Sequence, residues 1–276
     1  MDYVKPVDVA KAMIETAQRK LALAPVDLLV RGMLSGALLG FATSFAFNGA
    51  ISTGQPLVGA IIFPVGLVMI VLLALELVTG SFGLLALLGM DRKASTGSII
   101  TNWSWVFLGN LIGSVIYGAL LAIALTNFGH GDGGPVAAKL IAAAEAKTIA
   151  NAAMGPAGMV SVFVKAILCN WMVCLAVVAA MSSTSTIGKV VCAWLPITVF
   201  FAQGFEHSVV NMFVIPTGMM LGAHVSLADW WIWNQIPVTL GNIVGGTIFC
   251  CIPLYLTHKE RSRAAVSLEA SRVPAE

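Results

Sequence analysis

A histidine, His207, lies inside one of the apolar stretches of this sequence, within the polar string Gly204-Phe-Glu-His-Ser-Val-Val-Asn211. The other histidines fall in predicted loops or at the edge of an apolar stretch. An imidazole has a reference pKa of about 6.5, so modest changes in its surroundings alter its charge near neutral pH. Such a histidine can simply be a satisfied core residue, but an ionisable group at membrane depth usually marks a functional site. We therefore predict that His207 contacts a solute.

Two carboxylates, Glu76 and Glu206, also lie inside apolar stretches, each in a short polar interruption. A buried carboxylate can transfer protons or accept hydrogen bonds, and we take direct proton transfer as the weaker interpretation here. An interrupted helix leaves backbone N–H groups without partners. We predict that Glu76 and Glu206 accept such N–H groups and give structural support to the interruptions.

Five further polar residues are candidates for contact with a solute. Thr79, Asn170, Asn211 and Asn242 can donate hydrogen bonds to a solute or hold neighbouring helices together, and we favour a pore-facing position for Thr79 and Asn242. Lys165 lies near the start of an apolar stretch. Its long stem can extend to the membrane interface, but we favour the interpretation that its charge concentrates anions at a pore mouth.

The elements that must position these residues follow from composition. The 276 residues are 58% hydrophobic and only 10% charged, whereas about a quarter of the residues in soluble domains are charged. The apolar runs can cross a bilayer core of about 30 Å as helices. The predicted fold class is an all-α polytopic membrane protein in a single domain, residues 1–276. Its six predicted spans are residues 28–51, 57–90, 99–126, 159–181, 190–223 and 237–257.

The second and fifth of these stretches are each 34 residues long, well above the roughly 20 residues that a helix needs to cross a bilayer. Both contain polar strings, at residues 76–81 and 204–211. Irregular backbone at membrane depth is tolerated only where it is buried in protein or lines a cavity. The pattern predicts two broken helices that face one another.

The two halves of the chain resemble each other. Leu108-Gly-Asn-Leu-Ile-Gly113 and Leu240-Gly-Asn-Ile-Val-Gly245 are 132 residues apart. Because each half contains three spans, the second must be inverted relative to the first. Transport folds of this kind place their site near the midplane on broken helices. We predict the following organisation: residues 1–27 as an amphipathic surface helix, 28–126 as the first repeat, 127–158 as an extracytoplasmic connection, 159–257 as the second repeat and 258–276 as a mobile cytoplasmic tail.

Lysine and arginine counts predict the orientation. With the N-terminus in the cytoplasm, twelve of these residues fall on that side and two, Lys139 and Lys147, on the other. This asymmetry follows the positive-inside rule. It predicts a multi-pass protein of a bacterial-type inner (cell) membrane with both termini cytoplasmic.

Enzyme motifs are absent from the sequence: it contains no Gly-x-Ser-x-Gly, no His-Glu-x-x-His and no phosphate-binding loop. Its five cysteines lie in apolar runs without the spacing of a metal site. We predict no enzymatic activity, no metal, no cofactor and no nucleic-acid partner.

Two strings resemble signature segments of the formate/nitrite transporter family, namely Ala166-Ile-Leu-Cys-Asn-Trp-Met-Val-Cys-Leu-Ala176 and Gly204-Phe-Glu-His-Ser-Val-Val-Asn-Met-Phe213. Leu75-Glu-Leu-Val-Thr-Gly80 is similar to the break of that family's first repeat. The resemblance implies an aquaporin-like protomer with its own pore, a homopentamer in the lipid bilayer, and a small weak-acid anion as substrate. By matching position, it implies His207 as the central histidine, Thr79 as the loop threonine, and Asn170 and Asn242 as polar partners. It also implies a basic pore mouth at Lys165 and apolar constrictions at Phe63, Leu67, Leu77 and Phe200.

The leading hypothesis is passive or proton-coupled transport of formate or nitrite. Alternatives are another small anion or acid, such as hydrosulfide, acetate or lactate, and a neutral-solute facilitator for water or glycerol. An ion pays heavily to enter an apolar constriction, whereas protonating a formate-like acid at pH 7 costs roughly 4–5 kcal/mol. We expect Lys165 to gather the anion, and the Thr79–His207 site either to donate a proton or to stabilise the charge.

Overall fold

The computed structural model describes residues 2–259, and these residues are almost entirely helical. The part of the predicted tail beyond residue 259 lies outside the described residues. The helices are α1 Pro6–Leu21, α2 Pro25–Thr53, α3 Pro56–Ile62, α4 Val65–Leu72, α5 Val78–Met90, α6 Thr96–Thr126, α7 Gly134–Lys147, α8 Ile149–Ala153, α9 Pro156–Ala180, α10 Thr186–Ala202, α11 Ser208–Met220 and α12 Leu227–His258.

Within residues 2–259, four helices are long and apolar enough to cross a membrane: α2, α6, α9 and α12. Prolines in the first turn begin α2 and α9, at Pro25 and Pro156, where the missing N–H removes no helical hydrogen bond. Two π-helical turns, Trp231–Gln235 and Gly245–Cys251, interrupt the α-helical geometry of α12.

The second and fifth apolar stretches each form shorter helices instead of one continuous helix. Residues 73–77 separate α4 from α5, and residues 203–207 separate α10 from α11. The polar strings of the sequence, residues 76–81 and 204–211, begin inside these gaps. They continue into the first turns of α5 and α11. Thr79 is therefore helical, and so is Asn211. Pro64 adds a further interruption between α3 and α4.

Glycine allows α2 and α6 to pack closely. A Cβ added to Gly32 would lie 3.0 Å from the Val106 carbonyl oxygen and 3.1 Å from the Gly109 Cα, and one added to Gly36 would overlap the Asn110 carbonyl oxygen. A larger residue at either position would force the two backbones apart, in line with the small-residue spacing common at membrane helix interfaces.

The N-terminal helix α1 is amphipathic, as the sequence predicts, but its apolar face is covered by protein. Ala10, Met13 and Ala17 are buried in one cluster with Leu84 and Leu88 of α5. The chain before α1 is held by the connection between α9 and α10, because the Val4 N–H donates to the Ser182 carbonyl at 2.8 Å. Its apolar residues therefore stabilise the bundle and are not free to enter lipid.

The 127–158 connection is also folded against the bundle. The structure contains two helices in this connection, α7 and α8, separated at Thr148. Leu140 and Ala144 of α7 are fully buried, and α7 packs against α11. This connection is therefore an integral part of the packed structure.

Candidate functional site

Two cavities approach the middle of the protein from opposite ends of α2. The first, of about 610 Å³, is bordered by α1 and extends past Arg31 and Glu76 to Leu77; we call it the α1 vestibule. The second, of about 920 Å³, is bordered by α7 and extends past Lys165 to Phe200 and His207; we call it the α7 vestibule.

Buried apolar side chains separate the two vestibules. Leu67 and Leu77 line the inner end of the α1 vestibule, and Phe200 lines the inner end of the α7 vestibule. The Phe63 ring meets the Phe200 ring edge-on, with centroids 5.6 Å apart. All four residues are at least 96% buried. Phe201, which the sequence did not single out, stacks on Phe63 at 4.0 Å.

The polar pair between the vestibules is His207 and Thr79. The His207 Nε2 and Thr79 Oγ1 atoms are 3.1 Å apart, and both residues are buried. The Val210 backbone N–H donates to His207 Nδ1 at 3.2 Å. Because Nδ1 is an acceptor, a neutral imidazole carries its proton on Nε2 and donates it to Thr79. The Thr79 hydroxyl then has its own proton available for another acceptor.

Two asparagines fix the starts of the helices that carry this pair. The Val78 N–H donates to Asn110 Oδ1 at 3.0 Å, and the Ser208 N–H donates to Asn242 Oδ1 at 2.9 Å. Each asparagine Nδ2 also donates to the carbonyl of the nearby glutamate, Glu76 or Glu206, at 3.0 Å. These bonds satisfy backbone groups that the interrupted helices would otherwise leave without partners.

The Asn242 side chain therefore forms its hydrogen bonds with backbone groups, and it does not face a solute. The side-chain nitrogen of Asn170 is used in the same way, since it donates to the Thr79 carbonyl at 3.0 Å and to the Asn242 carbonyl at 2.6 Å. The predicted preference for Asn242 as a pore-facing donor does not fit these contacts. Thr79 differs, because its hydroxyl reaches His207.

Both buried glutamates form ion pairs with lysines. Lys20 Nζ lies 2.8 Å from Glu76 Oε2, and Lys147 Nζ lies 2.8 Å from Glu206 Oε2. Asn211 donates to the same Glu206 oxygen at 2.7 Å. The expectation that the carboxylates accept freed backbone N–H groups is wrong in this respect. Asparagines accept those groups, and the carboxylates bind side chains.

Known proteins resemble this chain over nearly its whole length. The model of the formate/nitrite transporter family matches residues 7–256. A protein of Methanothermobacter thermautotrophicus described as a probable formate transporter is 40% identical, over 94% of this chain and 98% of its own length. The chain belongs to the formate/nitrite transporter family. It is therefore an integral membrane transport protein and not an enzyme.

Solved structures of this family have the same fold. One described as an FNT family ion channel has a TM-score of 0.78 and 28% sequence identity, over 91% of this chain and 98% of its own. Another, described as a pentameric formate channel with formate bound, has a TM-score of 0.68 and 27% identity, over 88% of this chain and 98% of its own.

Among the described residues of this formate/nitrite transporter family member, the side chains of the two remaining predicted residues, Lys165 and Asn211, form no hydrogen bond with the side chains of the central pair. Lys165 is exposed in the wall of the α7 vestibule. Asn211 is fully buried beside Glu206, and Asn234 of the first π-helical turn donates to the same carboxylate at 3.3 Å. The Asn211 side chain thus contacts the ion pair, and the Asn211 backbone N–H donates to the His207 carbonyl at 3.0 Å.

Sequence reasoning missed Lys20, Lys147 and Asn234 and gave Asn110 only a minor part. Asn110 was detectable, because it lies 132 residues before Asn242 in an equivalent string. The lysines gave no such signal, because each lies in a segment outside the predicted spans and meets its partner only in the folded chain.

Proposed function

We propose that this protein conducts a small monovalent weak-acid anion, with formate or nitrite as the first candidates, through a pore in each protomer. The observation that carries the proposal is the buried Thr79–His207 pair between two vestibules. The pore would run from the α7 vestibule past Phe200 and Phe63, along the pair, and past Leu77 and Leu67 into the α1 vestibule.

The architecture that we propose has six spans in two inverted repeats, 28–126 and 159–257, as in an aquaporin-like protomer. The helices α3 to α5 would form the second span, and α10 and α11 the fifth. The matching contacts at the two interruptions support this arrangement: a lysine pairs with a glutamate and an asparagine caps the following helix in both halves.

The proposed location is the cell membrane, with both termini cytoplasmic and the 127–158 connection outside. The excess of Lys and Arg on the side of the termini supports this orientation. The α1 vestibule would then face the cytoplasm. The related structure described as a pentameric formate channel supports a homopentamer as the working assembly.

Electrostatics in the vestibules favour anions. Glu206 is the carboxylate that lines the α7 vestibule among the described residues, and Lys147 neutralises it. Lys139 and Lys165 line the same cavity, so it carries net positive charge. A cavity of one sign concentrates ions of the opposite sign. We assign Lys165 this gathering role.

At the constriction, the anion needs stabilisation or a proton. The hydrogen bond from Val210 to His207 Nδ1 supports a neutral imidazole that polarises the Thr79 hydroxyl, which then donates to the solute. If this imidazole gave up its one proton, it would become an anion in an apolar site, which is costly. We therefore propose charge stabilisation by Thr79 and His207, with any coupled proton taken from water in a vestibule.

Flux into proteoliposomes tests this function. Formate, nitrite, hydrosulfide, acetate, lactate and glycerol would be offered at external pH 5 to 8 while internal pH is recorded. Saturable formate or nitrite uptake that exceeds glycerol uptake would support the proposal. Uptake of glycerol alone would contradict it and favour a neutral-solute facilitator. Acidification in step with uptake would indicate proton coupling, and current without acidification would indicate that the anion itself crosses.

A further inference from the structure

The α1 vestibule carries more positive charge than a passage for monovalent anions requires. Four cationic side chains line it: Arg19, Lys20, Arg31 and Lys189. Glu76 is the carboxylate among its lining residues in the described chain, and Lys20 lies 2.8 Å from it. Three positive charges are therefore left without a compensating carboxylate in the cavity wall.

The two arginines are positioned to bind an oxyanion. Arg31 Nη1 donates to the Ala74 carbonyl in a long bond of 3.4 Å, and Arg19 Nη2 donates to the Thr16 hydroxyl at 2.8 Å. Neither bond neutralises a guanidinium, and each guanidinium has five N–H donors. The planar fork of arginine matches the geometry of phosphate and carboxylate groups.

The α7 vestibule offers a comparison within the same molecule. It is larger, at about 920 Å³, and its cationic lining residues are three lysines, of which Lys147 is paired with Glu206. Two uncompensated ammonium groups remain there, and no arginine lines it among the described residues. Lysine acts on anions as a point charge, whereas arginine adds directional, bidentate contacts.

We propose that the α1 vestibule binds a free anion carrying two or more negative charges on phosphate groups, and that this anion blocks the pore. Its volume of about 610 Å³ is ample for a pyrophosphate-sized molecule. The cavity narrows at Leu67 and Leu77, which are buried and apolar. An anion with several charges cannot shed its water there, because the cost of burying charge is far greater than for a monovalent ion.

The vestibule favours a free anion over a lipid headgroup as the source of the phosphate. Six helices of a single protomer line it: α1, α2, α4, α5, α9 and α10. A headgroup would have to enter between these helices with its acyl chains attached. The occupant we propose therefore comes from the aqueous phase on the side of α1.

The test uses inorganic pyrophosphate as the probe, on the full-length protein in phosphatidylcholine liposomes. Formate uptake is measured with pyrophosphate on both sides, against sodium chloride of the same ionic strength. This inhibition measurement rests on the proposed function, because it requires that the protein transports formate. A second arm, ³¹P NMR line broadening of pyrophosphate by the detergent-solubilised protein, measures binding whether or not formate is transported.

We expect pyrophosphate to inhibit the wild type. In R31Q and in K189Q, each of which loses one contact, the same inhibition should require a pyrophosphate concentration about tenfold higher. The double variant R92Q/K93Q removes the same charge from the same end of the bundle as R31Q/K189Q but lies outside the vestibule, and it should keep the wild-type sensitivity. Each variant is compared with its own uninhibited flux.

Three results would overturn the proposal. One is inhibition no stronger than that by sodium chloride, together with no line broadening. Another is equal loss of sensitivity in R92Q/K93Q, which would mean general surface charge. The third is inhibition by phosphatidic acid in the liposomes without inhibition by pyrophosphate, which would assign the site to a lipid.

Discussion

Leu77 and His207 hold the same backbone position in two different helices. Each is the N-cap residue of the helix that follows an interruption, with φ −120° and ψ 119° at Leu77 and φ −110° and ψ 121° at His207. The two residues are 130 positions apart in the chain. One cap is apolar and closes the α1 vestibule, and the other is polar and meets Thr79. Of these two equivalent cap positions, His207 is therefore the one that contributes a polar side chain to the constriction.

His207→Asn separates the two hydrogen bonds of the imidazole. Asparagine is a good N-cap residue, so it can still accept the Val210 N–H, but it cannot reach Thr79 as Nε2 does. We expect formate flux to fall about tenfold or more while the melting temperature stays close to that of the wild type. The measurement is uptake into proteoliposomes at pH 5 to 8.

The control for this variant is His224→Asn, which changes an exposed histidine. If His207→Asn kept the wild-type flux and its pH dependence, a role for the imidazole would be contradicted. The same result in His207→Phe would remove the imidazole from the mechanism altogether.

Thr79→Val and Thr79→Ser test the hydroxyl. Valine has nearly the shape of threonine but no donor, so the solute would meet an apolar surface, and flux should fall about tenfold or more. Serine keeps the hydroxyl and should keep most of the flux. Initial rates of formate uptake at a single pH are sufficient for this comparison. Equal rates in the two variants would show that the hydroxyl does not contact the solute.

Lys147→Met tests the ion pair with Glu206. Removing one partner of a buried pair leaves an unpaired charge, which costs about 3–5 kcal/mol in well-studied cases. We expect a fall of about 5 °C or more in the melting temperature of the detergent-solubilised protein. The double variant K147M/E206Q should recover part of this loss, because it leaves no unpaired charge.

An exposed ion pair provides the matched control for that prediction. Lys11 Nζ lies 3.7 Å from Asp8 Oδ1, and both side chains are about half exposed. Exposed pairs typically contribute less than about 1 kcal/mol, so Lys11→Met should change the melting temperature little. A loss in K11M as large as that in K147M would indicate that burial is not the cause.

Ala74→Gly should stabilise the protein. Ala74 has φ 49°, and its counterpart in the second half, Gly204, has φ 65°. The left-handed conformation costs a residue with a Cβ roughly 1–2 kcal/mol, a cost that glycine does not have. We expect a higher melting temperature for A74G and a lower one for G204A, both measured in detergent. A lower melting temperature for A74G would show that the alanine side chain contributes packing that outweighs the strain.

The sequence predicted the features that depend on local composition. The helical membrane class follows from apolar runs, and the positions of His207 and Thr79 near the two interruptions follow from polar residues in those runs. It could not predict that α5 begins at Val78, because the cap comes from Asn110, 32 residues further along the chain. Whether a polar string is loop or first turn depends on such a distant acceptor.

The ion pairs were unpredictable for the same reason. Lys20 is 56 residues from Glu76, and Lys147 is 59 residues from Glu206. In the sequence both lysines look like ordinary charges at the edge of a membrane domain. Their partial burial follows from the packing of α1 and α7 against the bundle, which apolar periodicity alone does not reveal.

The lysine contacts also bear on how such a chain could have arisen by gene duplication. Lys20 lies in the last turn of α1, which precedes the first proposed repeat, and Lys147 ends α7, which precedes the second. Each of these outlying helices supplies the counter-charge for the acid in the half that comes after it. On the proposed six-span arrangement, the copied segment would then have contained a leading helix and three spans, and a half lacking its leading helix would have left a carboxylate buried without a cation.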